Sequence, residues 1–265
     1  VQPVRDGLLF GATALAGAVN AVAGGGTLMS FPAAIAWGLP SPVANATNAL
    51  AMCPGSLASA WAFRRELTTH RSFAALLSVP TIVGAVIGAA LMGRGRRTPV
   101  RTFDAIVPVL VFAATLALLL QGLIARRAVA ARAAASDSAP ARSRGGTAAA
   151  VAIQLAVGTY GGYFGAAMGI VMLASLALLP VGLQPRIAIK NWLSAAANGV
   201  AAVYFVASGL IDPHAALIMV PAAMVGGFAG GHAARRAPPA VVRALVAAIG
   251  LGVSALLAYR AFVRR

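Results

Sequence analysis

Apolar residues run along this chain in stretches too long for the surface helices of a soluble domain. Ten segments can be drawn: about 7–23, 26–39, 43–63, 73–92 and 103–125, then 148–167, 169–182, 187–210, 215–234 and 240–262. Most approach the roughly 20 residues that a helix needs to cross about 30 Å of hydrocarbon. Segments 26–39 and 169–182 are shorter, and each follows a glycine-rich interruption, Gly24-Gly25-Gly26-Thr27 in one case and Gly161-Gly162-Tyr163-Phe164-Gly165 with Gly169 in the other. Such runs disfavour a continuous helix and let main chain approach a neighbour or a ligand closely. The pattern predicts an all-α polytopic membrane protein with about 8–10 membrane segments, some of them glycine-broken short helices.

The segments fall into two homologous halves. A shift of 143 residues superposes Pro185 on Pro42, Asn191 on Asn48, Leu193 on Leu50, Ala201 on Ala58, Leu210 on Leu67, and Gly227 and Gly231 on Gly84 and Gly88, with no gap. Residues 1–125 are therefore read as a first membrane repeat, 126–147 as a basic polar linker and 148–265 as a second repeat. Five segments per half would make the repeats inverted, an arrangement common in secondary transporters. The start of the chain, with Arg5, an apolar run over 7–19 and Ala21-Val22-Ala23, imitates a cleavable signal. Its counterpart near Ala148 argues for a retained membrane segment.

Composition narrows the class. Sixty per cent hydrophobic residues and a mean hydropathy of +0.86 exclude an ordinary soluble domain. The net charge of +16 comes from arginines grouped in the gaps between apolar runs, such as Arg64, Arg65 and Arg71, or Arg94, Arg96, Arg97 and Arg101. That grouping suits an anionic membrane face, so the expected partners are the lipid bilayer and a small anionic substrate, not nucleic acid. With one cysteine, three scattered histidines and five carboxylates placed in or beside loops, no metal site, no cofactor and no catalytic residues are expected.

The candidate chemistry gathers on two matching helices. Lys190 is the one lysine in the chain and lies within an apolar segment, where a charge costs a few kcal/mol unless it turns to protein or water. Helical spacing places Lys190, Ser194 and Asn198 on one face, with Asn191 at its border. In the first half Asn45, Asn48, Met52, Ser56 and Ser59 share a stripe too polar for lipid, with Thr47 opposite Lys190 in the repeat. The substrate-binding set is therefore Lys190, Asn191, Asn48, Thr47, Asn45, Ser194 and Asn198, with Gly24, Gly25, Gly26 and Thr27 at the first interruption. Lysine, amides, hydroxyls and helix-end N–H groups suit a small oxyanion. Lys190 is expected to face an interior cavity with Asn48 and Asn191 nearby. Gly84-x-x-x-Gly88 and Gly227-x-x-x-Gly231 read as close-packing faces.

The motif Gly17-Ala-Val-Asn-Ala-Val-Ala-Gly-Gly-Gly-Thr-Leu-Met-Ser-Phe-Pro32 with Pro42–Asn48, and its second form Gly158-Thr-Tyr-Gly-Gly-Tyr-Phe-Gly165 with Pro185–Asn191, resembles the TauE/SafE family of sulfite-exporter permeases. The second copy departs from the family form, with Ala166 and Ala167 where the glycine run would continue and Lys190 where a small polar residue is usual. The resemblance implies a secondary transporter that exports sulfite, sulfoacetate, other sulfonates or organic anions across a bacterial inner membrane. An uncoupled anion channel is the alternative, and a membrane-embedded enzyme a distant third. No carboxylate lies at the middle of any predicted span, Asp104 being the nearest, so electrogenic export without a carboxylate proton relay is expected.

Overall fold

The computed structural model describes residues 2–94, 144–176, 179 and 181–233, with isolated positions 109, 112 and 116. The segments read at 103–125 and 240–262, and with them Asp104, are otherwise outside the described residues. Every described element is helical: α1 (Gln2–Ala23), α2 (Thr27–Trp37), α3 (Ser41–Ala62), α4 (Arg64–Thr69), α5 (Arg71–Arg94), α6 (Arg144–Tyr163), α7 (Met168–Leu176), α8 (Leu183–Ala207) and α9 (Pro213–Ala233). Helix α6 begins at Arg144, inside the stretch read as linker; the rest of 126–147 is outside the described residues.

Three helices, α1, α5 and α9, are long and apolar enough to cross a membrane by length and composition. Their outward faces carry Leu8, Leu15, Val79, Val83, Val86, Leu217, Val225 and Phe228, all exposed, as a lipid-facing shell requires. Helices α3 and α8 are as long, with 22 and 25 residues, but too polar to register as spans because their polar stripes face inward. Asn45, Asn48, Met52, Ser56 and Ser59 are all buried, as their spacing requires. The short helices α2 and α7, of 11 and 9 residues, rise only about 16 and 14 Å, half the hydrocarbon thickness or less.

Register fixes the helix directions. Gly17 of α1 packs on Ala223 and Gly227 of α9, and Gly230 packs on Ala18. Gly55 of α3 meets Ala223, and Gly231 meets Ala62 and Ser59. Helices α1, α3 and α9 are therefore parallel, and Asp6 and His214 sit together at their starting ends. Along α5 and α6, Thr81 meets Gly158 and Ala85 meets Gly162. Along α5 and α8, Ser78 accepts a hydrogen bond from Trp192 Nε1 at 3.0 Å, and Gly93 abuts Tyr204. These three are also mutually parallel. The two groups oppose each other where α3 crosses α8: Cys53 faces Gly199, while Ala62 and Phe63 cluster with Ile187 and Ala188.

The glycine contacts are main chain against main chain, which is how helices associate where lipid gives no hydrophobic drive. A Cβ added at Gly84 would stand 2.7 Å from Thr159 N and 3.0 Å from Gly158 C, with backbone that cannot step aside. At Gly7 nothing lies within 4 Å. Gly84→Val should therefore cost about 1 to 3 kcal/mol or more through overpacking, read as a lower thermal midpoint in detergent, whereas Gly7→Val leaves the midpoint within a degree or two of wild type.

Candidate functional site

The interruptions at Gly24 and Gly165 leave helix ends inside the protein. Gly24 and Gly165 take φ of 83° and 73°, the left-handed turn that stops a helix. Beyond Gly24, α2 folds back along α1 until Trp37 reaches its first turn. There Asp6 Oδ1 accepts from Trp37 Nε1 at 2.9 Å, Arg5 donates to the Trp37 carbonyl, and His214 packs edge-on against the indole. Helix α7 folds back along α6 in the same way, and Gln154 Nε2 donates to Ser175 Oγ at 2.8 Å.

The last carbonyls of a helix lack the N–H groups of a next turn, although Asn20 O still accepts the Gly24 N–H at 3.1 Å. Those of α1 are met by α8. Lys190 Nζ donates to Asn20 O and, at 3.4 Å, to Ala21 O; Asn191 Nδ2 donates to Ala21 O at 3.2 Å. Lys190 is wholly buried, so it does not reach for the headgroups. A cation at the negative end of a helix dipole is favourable, and its hydrogen bonds to the carbonyls offset part of the cost of taking the charge out of water. The ammonium has three donors, and two have these carbonyl partners among the described residues. The end of α6 is met by α3, whose Asn45 Nδ2 donates to Tyr163 O at 3.1 Å.

The two interruptions touch each other. Ala167 N donates to Thr27 Oγ1 at 2.7 Å, and that hydroxyl lies 3.5 Å from Gly165 O. Gly24 and Gly169 are in main-chain contact, and the Lys190 stem lies beside them: a Cβ on Gly169 would be 2.7 Å from Gly24 Cα and 3.1 Å from Lys190 Cδ. The structure thus brings Lys190, Asn191, Gly24, Thr27 and Gly169 to one place. Gly25 and Gly26 are buried in the same turn. Thr47 is drawn elsewhere, accepting from Asp212 N at 3.1 Å in the connection to α9. Ser194 Oγ points to Met172 Sδ at 3.5 Å, and Asn198 Oδ1 lies beside Gly165. Asn48 Oδ1 and Asn191 Oδ1 are buried without a hydrogen-bond partner, acceptors whose desolvation nothing described offsets.

Two participants carried too weak a signal in the sequence. Asn20 supplies the carbonyl that Lys190 holds, and its side chain reaches Ser56 Oγ at 3.4 Å; its one mark was a lone amide just before the glycine run. Ala167 has φ 57° and is the one non-glycine residue with positive φ among those described. It stands where the family's glycine run would continue, and it keeps the glycine conformation.

An apolar shell around a polar interior, with two helix interruptions meeting over a buried ammonium, marks an integral, multi-pass membrane protein of the transporter class. The chain belongs to the sulfite exporter TauE/SafE family, whose model matches residues 9–257. It is 28% identical over 260 residues to the probable membrane transporter protein YfcA of Escherichia coli K12, covering 98% of this chain and 91% of that protein. The YfcA proteins of the O6:H1 and O157:H7 strains match to the same extent. No solved structure matches the chain.

Substitutions at two positions test this geometry. Lys190→Met removes one donor from each of two buried carbonyls that keep another, Gly24 N on Asn20 O and Asn191 Nδ2 on Ala21 O, so it should leave the fold intact and change stability by only about 1 kcal/mol. Left-handed backbone costs an alanine about 1 to 2 kcal/mol, against about 0.5 to 1 for glycine's extra chain entropy. Ala167→Gly should then raise the thermal midpoint slightly, and the β-branched Ala167→Val should lower it.

Proposed function

We propose that this protein is a secondary transporter that exports small sulfur-containing or organic anions, such as sulfite, sulfoacetate or other sulfonates, across a bacterial inner membrane. The observation that carries the reading is the single buried ammonium where the two helix interruptions meet, with one donor beyond its two carbonyl bonds. An oxyanion there would complete the ammonium and meet the starting end of α2. Lys190, Asn191, Gly24, Gly25, Gly26 and Thr27 form the near side of this proposed site, with Asn45, Asn48, Thr47, Ser194 and Asn198 on the enclosing helices. The family name and the YfcA relatives support transport; the choice of anion rests on the family description and on the charge of Lys190.

The proposed frame is a pair of inverted repeats. Helices matched by the 143-residue shift run in opposite directions: α3 against α8, and α5 against α9. Such a frame lets a fixed central site open to either side by rocking. An interior-negative potential drives an anion outward by about 2.3 kcal/mol per charge per 100 mV, enough for export without a coupling ion.

Counterflow in proteoliposomes with sulfite, sulfonates and carboxylates tests the reading. Saturable exchange supports a carrier, whereas linear conductance would indicate a channel and product formation an enzyme. Potassium with valinomycin at equal pH on both sides should drive flux in wild type and in Asp104→Asn alike; flux only under a pH gradient would overturn the electrogenic mechanism. Gly25→Leu should abolish flux while the protein still inserts.

A further inference from the structure

Two kinds of seam hold the helices together, and they differ in what would have to break for them to slide. Between α1 and α9, α3 and α9, and α5 and α6, glycines set main chain directly on main chain. Gly17 lies on Ala223 and Gly227, Gly55 on Ala223, Gly84 on Thr159 and Gly158, and Gly162 on Ala85. Interlocked backbones of this kind permit little relative travel. The crossing of α3 with α8 is made differently. There a Cβ on Gly199 would meet only the Cys53 sulfur, at 3.2 Å. The remaining ties between the groups include side-chain hydrogen bonds to helix ends, from Lys190, Asn191, Asn45 and Thr27, the Gly24–Gly169 contact, the edge-on Phe31–Phe164 pair and the side-chain packing of Ala62 and Phe63 on Leu173, Ile187 and Ala188. Side-chain ties of this kind exchange partners more readily than interlocked backbones slide.

We propose that the rigid bodies of this carrier are α1–α2–α3–α9 and α5–α6–α7–α8, each assembled from both halves of the sequence, and that they shift against each other along the α3–α8 seam. Each body takes three helices from one half and the fourth long helix from the other. The chain passes between them at α4 and again through 208–212, where Gly209 has φ 66°. The Asp6–Trp37–His214 cluster lies wholly inside the first body and ties α2 to it. The proposed anion site lies on the seam, because Lys190 belongs to one body and the carbonyls it holds belong to the other. Small sliding of packed helices is an established mode of such transitions. The proposal rests on the transporter reading for its purpose, though not for its geometry.

A native sulfur makes the test direct. A Cβ 3.2 Å from Cys53 Sγ is close to the roughly 3 Å that separates one Cβ from the partner sulfur of a disulfide. Gly199→Cys should therefore oxidise to a bond between the bodies. Flux of the best-carried anion among sulfite, sulfonates and carboxylates should fall at least tenfold on oxidation and return with dithiothreitol, while Gly199→Ala keeps its flux in both conditions. In a Cys53→Ser background, Asp6→Cys with His214→Cys, bridged by a short bis-thiosulfonate within the first body, should keep flux within about twofold. Unimpaired flux in the oxidised Gly199→Cys protein, loss of flux in the bridged pair, or thiols at 53 and 199 that do not join would each overturn the proposal. Spin labels separate this from a failure of the transporter reading. In the Cys53→Ser background, labels at Leu8 and Leu217 should hold one distance, and labels at Leu15 and Leu155, on opposite bodies, should show two across the anion panel. Two distances without flux of any anion would leave the bodies standing and sink the transport reading; one distance at Leu15 and Leu155 throughout would sink the bodies.

Discussion

A helix that stops inside a membrane leaves carbonyls with nothing to bond, and each orphan there costs several kcal/mol. This chain stops two helices inside itself, α1 at Ala23 and α6 at Tyr163, and the rest of the architecture follows from closing those ends. The donors come from the opposite half each time: Lys190 and Asn191 of α8 for α1, and Asn45 of α3 for α6. Helices α3 and α8 must therefore be polar along one side, so they must be central. The more hydropathic α1, α5 and α9 then supply much of the lipid-facing shell.

The two helix ends are closed by different groups. Here one end carries an ammonium and the other a neutral amide, and Thr47, which occupies the lysine's place in the repeat, is bonded toward the α9 connection. The one lysine of the chain thus lies beside the α1 end and a neutral amide beside the α6 end.

Much of this was legible in the sequence, and the limits were physical. The burial of Asn45, Asn48, Met52, Ser56 and Ser59 follows from spacing alone, since amides and hydroxyls on one helical face cannot be left to lipid. The gathering of Lys190 with the Gly24 turn had its trace in the repeat, which placed polar starts and glycine runs at matching positions. What spacing could not give was the partner of the ammonium. Main-chain carbonyls 170 residues away carry no side-chain signature. The Asp6–Trp37–His214 cluster was hidden for a similar reason. Residues at three separate helix ends looked like ordinary interface residues until α2 folded back along α1. The start of α6 at Arg144 was also missed, because a basic, small-residue stretch reads as linker wherever apolar periodicity is weak.

The placement of α9 bears on how the molecule is made. Its glycines fill grooves on α1 and α3, at Gly17 and Gly55, that exist once α3 is synthesised. Those grooves have no proper occupant until about 160 further residues have left the ribosome. During that interval the nascent first half sits in the bilayer with small-residue faces open to lipid or to a stray helix. The glycine faces of α1 and α3 therefore meet their partner only when α9 emerges, so closing this seam is a late step of assembly.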